Sequence, residues 1–230
     1  MVARRNLFIV VALGIFSLIS GCKKDDTSNP MTPTAGNANV MIVHASPDAP
    51  GVDILVDDAV AKMNLTYPAN TGYVSLSAGN RNVKVNVTGT ATTALQADVT
   101  VMDGVYYSVF AIDSVSNVST LALVDTLTTP ATGNAHVRFI HLSPNAPAVD
   151  VAVTGGPVLF GNQSFKDYTS FTPVPANTYN LEVRLAGTPT VVLPLPGITL
   201  SAGKIYTVFA KGFVGGSGAK ALGAQIIVNK

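Results

Sequence analysis

A stretch of ten residues occurs twice in the chain and constrains its fold more than any other feature. It reads HASPDAPGVD from His44 to Asp53 and HLSPNAPAVD from His141 to Asp150, so the two copies start 97 residues apart. A spacing of this size is that of one small domain. The sequence therefore predicts two tandem copies of a single folding unit.

Apolar residues in both copies recur at every second position, which is the period of a β-strand and not of a helix. Val83, Val85 and Val87 alternate with polar residues, and glycine-containing turn sequences separate such runs. Asp103-Gly104 lies between two strand-like runs and is predicted to form a hairpin turn. The aromatic and β-branched runs Tyr106 to Ile112 and Lys204 to Lys211 are predicted to be central strands. We expect an all-β fold of two β-sandwiches.

The repeated stretch, together with the later segments Tyr107-Ser108-Val109-Phe110 and Tyr206-Thr207-Val208-Phe209, resembles the bacterial domain of unknown function 4397. The resemblance covers nearly all of residues 38 to 230, in two copies. It implies an extracytoplasmic protein whose two domains are immunoglobulin-like or transthyretin-like β-sandwiches. It implies no particular activity.

The start of the chain has the three regions of a bacterial lipoprotein signal peptide. Arg4 and Arg5 are followed by the apolar run Leu7 to Leu18 and then by small residues before Cys22. This pattern resembles a lipobox, which implies cleavage before Cys22 and acylation of that cysteine, so that acyl chains anchor the protein in a membrane. The segment Lys23 to Asp26 resembles the surface-export signal of Bacteroidetes lipoproteins, and a solvated tether is an equal alternative. We expect a lipid-anchored protein of the outer membrane, exposed at the cell surface.

These signals divide the chain into five segments. The predicted segments are a signal peptide at 1–21, a flexible tether at 22–37, a first β-sandwich at 38–127, a linker at 128–135 and a second β-sandwich at 136–230. Because Cys22 is the single cysteine, the domains contain no disulfide. Lys and Arg number 14 and fall to 12 without Arg4 and Arg5, against 13 acids. With no basic stripe, we expect no nucleic-acid partner.

The repeated stretch carries residues that suggest three different roles. Its polar and proline residues are His44, Ser46, Pro47, Asp48, Pro50 and Asp53, and in the second copy His141, Ser143, Pro144, Asn145, Pro147 and Asp150. A structural corner between sheets is the favoured interpretation, because the prolines fix the backbone and the polar side chains can close turns. A serine–histidine–aspartate nucleophile is a second interpretation. Calcium binding by Asp48, Asp53, Asp57 and Asp58 is the third.

Three classes of function remain open, and none of them calls for a cofactor. The first hypothesis is a non-catalytic binding or adhesive module for a glycan or a surface protein, with Phe160, Phe165 and Tyr168 as candidate contacts. Phe165 and Tyr168 could instead complete the core. The second hypothesis is a structural spacer or envelope-assembly component without its own ligand. An enzyme is the third class, and we expect the protein not to be one.

Overall fold

The computed structural model describes residues 36–230, which form sixteen β-strands and two single turns of 3₁₀-helix. The predictions that concern residues 1–35, including Cys22 and nearly all of the tether, lie outside this part. The first eight strands are β1 (Asn37–His44), β2 (Val52–Val56), β3 (Ala59–Leu65), β4 (Asn70–Ser77), β5 (Gly79–Val87), β6 (Thr93–Val101), β7 (Tyr106–Ile112) and β8 (Ser119–Val124). The second eight are β9 (Asn134–His141), β10 (Val149–Val153), β11 (Val158–Gln163), β12 (Thr172–Pro175), β13 (Asn177–Leu185), β14 (Val191–Leu200), β15 (Ile205–Lys211) and β16 (Gly223–Val228).

The sixteen strands form four sheets of four strands each, which confirms the predicted all-β class. In β1–β8, here called unit 1, one sheet has the order β4-β1-β7-β8 and the other β3-β2-β5-β6. In β9–β16, here called unit 2, the orders β12-β9-β15-β16 and β11-β10-β13-β14 repeat this topology strand for strand. β1 runs parallel to β7, and β9 runs parallel to β15. The two units therefore share one topology.

β7 and β15 have paired strands on both sides, so the prediction of central strands is confirmed. The hairpin predicted at Asp103-Gly104 is wrong, because β6 belongs to one sheet and β7 to the other. Gly104 does adopt a positive φ of 71°, but the turn carries the chain between sheets. A turn sequence fixes the local reversal, and whether the strands then pair depends on long-range packing. β9 begins at Asn134, two residues inside the range predicted as linker.

Each unit buries apolar side chains between its two sheets. In unit 2 the buried residues Val137 and Phe139 meet Val151 and Val183 from the facing sheet. Burial at alternate positions, as along β2, follows from the two-residue period of a strand. The alternation of residues seen in the sequence therefore corresponds to side chains that point in turn toward the core and toward the opposite face of the sheet.

The sheets that contain β1 and β9 also pack against each other and join the two units. We call them the inner sheets, and the sheets that contain β2 and β10 the outer sheets. One apolar cluster combines buried residues of both inner sheets, including Met41, Ile112, Ile140 and Leu142. At its centre the rings of Phe110 and Phe209 meet edge to face, with centroids 6.0 Å apart. Both residues are fully buried, so this contact belongs to the core of the molecule.

The two units lie side by side with their strands running in the same sense. At one end Lys211 lies over the Tyr67 ring of the other unit, 5.5 Å from its centroid, and Lys166 lies 4.0 Å from Asp113. We call this the distal end, since β1 and β9 finish there. At the opposite, proximal end the Lys230 ammonium donates to the Leu127 carbonyl at 3.3 Å. No helix within residues 36–230 is long and apolar enough to cross a membrane.

Candidate functional site

The repeated stretch connects the inner sheet to the outer sheet at the distal end of each unit. It follows β1 and leads into β2 in unit 1, and it follows β9 and leads into β10 in unit 2. Two prolines in each copy fix φ on either side of a short turn, which lets the chain reverse direction within a few residues. The same loop therefore occurs at equivalent places in both units.

The histidine that begins each loop is buried and holds the loop closed. The Nε2 atom of His44 lies 2.9 Å from the Pro50 carbonyl oxygen, and that of His141 lies 3.2 Å from the Pro147 carbonyl oxygen. Because a carbonyl only accepts hydrogen bonds, Nε2 must carry the proton in both rings. Burial lowers the pKa of each histidine below 6.5, although the bond to the carbonyl partly opposes this. Burial therefore favours the neutral form of both rings.

Asp48 and Asn145 occupy the same place in the two loops and make the same contact. Asp48 Oδ1 accepts a hydrogen bond of 2.8 Å from the Val115 N–H, and Asn145 Oδ1 accepts one of 2.9 Å from the Val214 N–H. Asn145 adds a second bond by donating to the Val214 carbonyl at 3.1 Å. Each side chain thereby fixes the loop that follows β7 or β15. The exchange of aspartate for asparagine preserves this bond because both side chains have a carbonyl-type acceptor.

Asp53 and Asp150 tie two further loops to the repeated stretch. Each carboxylate accepts hydrogen bonds from two backbone N–H groups in its own unit, at 2.7 and 3.4 Å for Asp53 and at 2.7 and 2.9 Å for Asp150. The donors are Asn64 and Gly89 in unit 1 and Asn162 and Gly187 in unit 2. The bond from Asn64 is the main cause that lowers the pKa of Asp53. These carboxylates therefore act as acceptors for turn backbone.

The structure does not assemble a serine–histidine pair from either copy. Ser143 Oγ donates to the Gly212 carbonyl at 2.7 Å, and Ser46 Oγ has no hydrogen-bond partner within residues 36–230. In both histidines Nε2 is occupied by a prolyl carbonyl. A nucleophilic serine requires a hydrogen bond to the imidazole that accepts its proton. The contacts correspond instead to the corner interpretation.

The four carboxylates considered for calcium are Asp48, Asp53, Asp57 and Asp58. Asp57 and Asp58 lie in the β2–β3 turn at the proximal end, whereas Asp48 and Asp53 lie at the distal end. Asp57 pairs with Arg81 at 2.9 Å and Asp58 pairs with Lys84. Among the described residues, no three His, Cys, Asp or Glu side chains group in a way that could hold a metal ion. The structure therefore separates these four residues.

The three aromatic residues proposed as ligand contacts occupy three different environments. Phe160 lies in β11 and is buried, stacked on Phe139 with centroids 6.1 Å apart, so the prediction that it faces a ligand is wrong. Phe165 packs against the apolar cluster between the units. Tyr168 is 55% exposed and forms a bridge to Ile140. Aromatic side chains complete a core more readily than they remain exposed, because their burial removes much apolar area from water.

The exposed apolar surface of the distal end includes two residues that the sequence did not single out. Val115 is 49% exposed and Val214 is 48% exposed, and they occupy equivalent loops of the two units. Their backbone N–H groups are the donors that Asp48 and Asn145 hold. Loops positioned by a rigid scaffold commonly carry binding residues. The repeated stretch alone gave no signal for these partners, which lie 67 and 69 residues further along the chain.

The space between the two sheets of unit 2 offers little room for a small molecule. A void of about 60 Å³ lies between the sheets of unit 2, next to Phe139, Leu181 and Leu195. Ligand pockets typically have volumes of about 300–1,000 Å³. This void is a packing defect of the core, and the loop surface is the better candidate for contact with a partner.

Comparison with known proteins gives one finding on the family. A family model described as a domain of unknown function (DUF4397) matches residues 38–152, which is half of the chain. The match covers unit 1 and continues through β9 into β10 of unit 2. A search of curated proteins finds no match.

Proposed function

The chain belongs to the DUF4397 family, and we propose that it is a non-catalytic binding module of the bacterial cell envelope. Acyl chains on Cys22 anchor it in the outer membrane, and its distal loops contact a glycan or a protein outside the cell. We further propose that residues 134–230 are a second copy of the domain, since their strands repeat the topology of unit 1.

The observation that carries this proposal is the position of the loops relative to the start of the described chain. β1 begins at the proximal end with Asn37 and finishes at the distal end with His44. β9 follows the same course from Asn134 to His141. A tether that precedes residue 36 therefore joins the body at the end opposite to both repeated loops. This arrangement supports a role in which the loops of both units point away from the anchor.

The side-by-side arrangement favours a binding module over a spacer. A strand of nine residues such as β5 spans about 30 Å. Two sandwiches joined end to end would double this reach, whereas two joined through their inner sheets have the reach of one. What the pairing doubles is the number of loops at the distal end. A spacer gains nothing from that arrangement.

Two pairs of valines allow a test with matched chemistry at the two ends. Val115 and Val214 are exposed at the distal end, and Val124 and Val228, at 59% and 57% exposure, are exposed at the proximal end. We expect Val115→Asp/Val214→Asp to abolish binding of the purified protein to its ligand in a glycan array or in crosslinking to intact cells. An aspartate at either position would lose its hydrating water when the ligand covers it, and the ligand does not offset this desolvation penalty.

The proximal pair Val124→Asp/Val228→Asp is the control. It introduces the same two valine-to-aspartate changes, one in each unit, at the opposite end of the molecule. It should bind as the wild type does. If both double variants bind equally well, the distal loops are not the contact surface. If the wild type binds nothing in either assay, the spacer alternative is favoured.

The proposed anchor has its own test. The Cys22→Ser substitution removes the thiol that would carry the lipid, so the protein should leave the detergent phase of a cloud-point separation. Its thermal unfolding should not change, since residue 22 precedes the described body. A Cys22→Ser protein that still partitions into detergent with a normal amino terminus at residue 22 would contradict the lipoprotein proposal.

A further inference from the structure

Five polar side chains form a closed ring of contacts across the interface between the units. Asp125 forms an ion pair with Arg138, with Nη1 2.6 Å from Oδ1. Arg138 Nε donates to Thr207 Oγ1 at 2.8 Å, and Thr207 donates to Asn229 Oδ1 at 2.7 Å. Asn229 Nδ2 donates to the Tyr73 hydroxyl at 2.9 Å, and that hydroxyl donates to Asp125. Asp125 and Tyr73 belong to unit 1, and the other three belong to unit 2.

The ion pair in this ring is shielded from water. The side chains of Arg138 and Asp125 are 3% and 0% exposed. The guanidinium also lies over the Phe171 ring, 4.5 Å from its centroid, and Ser108 donates to the carboxylate at 2.5 Å. Burial lowers the pKa of Arg138, and the Asp125 charge opposes that effect. Each charge is therefore compensated by the other. If one of the two side chains were removed, water could not reach the remaining charge to take its place.

The same positions in the opposite units carry uncharged residues. Met41 pairs with Ser108 in the parallel β1–β7 ladder, and Arg138 pairs with Thr207 in the equivalent β9–β15 ladder. Met41 is thus the counterpart of Arg138.

Asp125 directly follows β8 and Asn229 directly follows β16, so these two residues are also counterparts. The inner faces are related by approximate two-fold symmetry, since Phe110 and Phe209 are equivalent and contact each other. The charge pair breaks this symmetry.

A face that is nearly self-complementary could also pair units of the same kind from two chains. In a unit 1–unit 1 pair, Met41 would occupy the place of Arg138, which leaves both Asp125 carboxylates buried without a cation. In a unit 2–unit 2 pair, both Arg138 side chains would face Asn229 and lack an anion. Removal of one partner from a buried ion pair is strongly destabilising, because the remaining charge stays uncompensated. Only the unit 1–unit 2 pair neutralises both charges.

We propose that the Asp125–Arg138 pair is a specificity device that restricts the inner-sheet face to pairing of unit 1 with unit 2. It excludes association of like units between chains, which the approximate symmetry of the face would otherwise permit. Buried charges that disfavour alternative partners are a known means of selecting one association over another. In the structure this face joins unit 1 to unit 2 of the same chain.

The test replaces both charged residues by their counterparts. In Asp125→Asn/Arg138→Met, all three pairings are free of buried charge. Refolded from urea at high protein concentration, this variant should form dimers, measured by size exclusion with light scattering, at roughly ten times the wild-type fraction or more. The single variant Asp125→Asn should lower the melting temperature by about 6–20 °C, since Arg138 then remains uncompensated. The double variant should recover most of that loss.

The control removes another ion pair of the described chain that lies away from the interface. Glu182 and Arg184 pair in the outer sheet of unit 2 at 2.5 Å, and Glu182→Gln/Arg184→Met should refold as a monomer like the wild type. If Asp125→Asn/Arg138→Met also stays monomeric at every concentration, the proposal is overturned. If it does not refold, the isosteric Asp125→Asn variant carries the test, because a unit 1–unit 1 pair is then uncharged. An unchanged dimer fraction in that variant would refute the proposal equally.

Discussion

His44 and His141 show how single residues hold the repeated loops. Each ring is buried, donates from Nε2 to a prolyl carbonyl six residues later, and has no hydrogen-bond partner for Nδ1 among the described residues. Protonation of Nδ1 would place a positive charge in a buried position, and burial is the main reason why the pKa of both rings is lowered. The two histidines are therefore structural groups whose charge state is coupled to folding.

This coupling predicts an acid-dependent loss of stability. The unfolded chain binds protons at its histidines as the pH falls below 6.5, whereas the native rings, whose pKa is lowered by burial, bind protons only at lower pH. The free energy of unfolding should therefore decrease below pH 6.5, by at most about 1.4 kcal/mol per pH unit for each histidine, until the native pKa is reached. Urea titrations at several pH values between about 6.5 and 4.5 measure this slope.

The double variant His44→Gln/His141→Gln is the control for this prediction. A glutamine amide can donate to the same carbonyls and does not titrate, so its stability should be nearly independent of pH in this range. The lowered pKa of Asp53 acts only at more acidic pH, where the carboxylate would be protonated. A wild-type profile as flat as that of the variant would show that the histidines are not held neutral.

At the scale of strands and loops, the segment after the central strand differs most between the units. Tyr107 and Tyr206 are 99 residues apart, whereas their partners Val124 and Val228 are 104 apart, so the loop after β15 is longer by five residues. Both loops start with a residue of positive φ, at 75° for Asp113 and 80° for Gly212. In unit 2 the longer loop folds back closely on this glycine.

Gly212 should tolerate no side chain. A Cβ atom at this position would lie 2.1 Å from the Ala221 carbonyl oxygen, and an L-residue also disfavours its φ. Gly212→Ala should therefore lower the free energy of unfolding by about 4 kcal/mol or more. Gly203 has a similar φ of 77°, but a Cβ there would meet no atom within 4 Å, so Gly203→Ala should cost only about 1–2 kcal/mol. If urea unfolding shows the same decrease in the free energy of unfolding for both variants, the close packing at Gly212 is contradicted.

The aromatic residues around β11 give a second prediction at this scale. Phe160→Ala should destabilise the protein by about 3–5 kcal/mol, because the ring is 7% exposed and stacked on Phe139. Tyr168→Ala should cost less than about 1 kcal/mol, because that ring is mostly exposed. Thermal unfolding of both variants measures the difference. A larger loss of stability from Tyr168→Ala than from Phe160→Ala would contradict the placement of Phe160 in the core and Tyr168 at the surface.

The sequence predicted the elements better than their arrangement. The period-two runs identified β7 and β15 as central strands, because alternation and β-branched content are local signals. The contacts of the repeated stretch with Val115 and Val214 depend on tertiary packing and were not predicted. The ion pair between Asp125 and Arg138 was missed for the same reason: Arg138 lies in an apolar strand, and only the packing of the second unit reveals its partner.

At the scale of the whole molecule, the two units form one body. Their inner sheets share an apolar cluster, and the polar ring closes through residues of both units. Neither unit could separate without exposing Phe110, Phe209 and the buried ion pair to water. The distal loops of both units are therefore held as one surface, which the proposed binding function requires.

Scanning calorimetry of the full-length protein measures whether the two units unfold together. If the units form one cooperative body, the protein should unfold in a single transition whose calorimetric enthalpy equals the van't Hoff enthalpy, a ratio of about one. Asp125→Asn should shift that transition without splitting it. Two separate transitions in the wild type, or a single one with a ratio near two, would show that the units unfold independently and do not form one body.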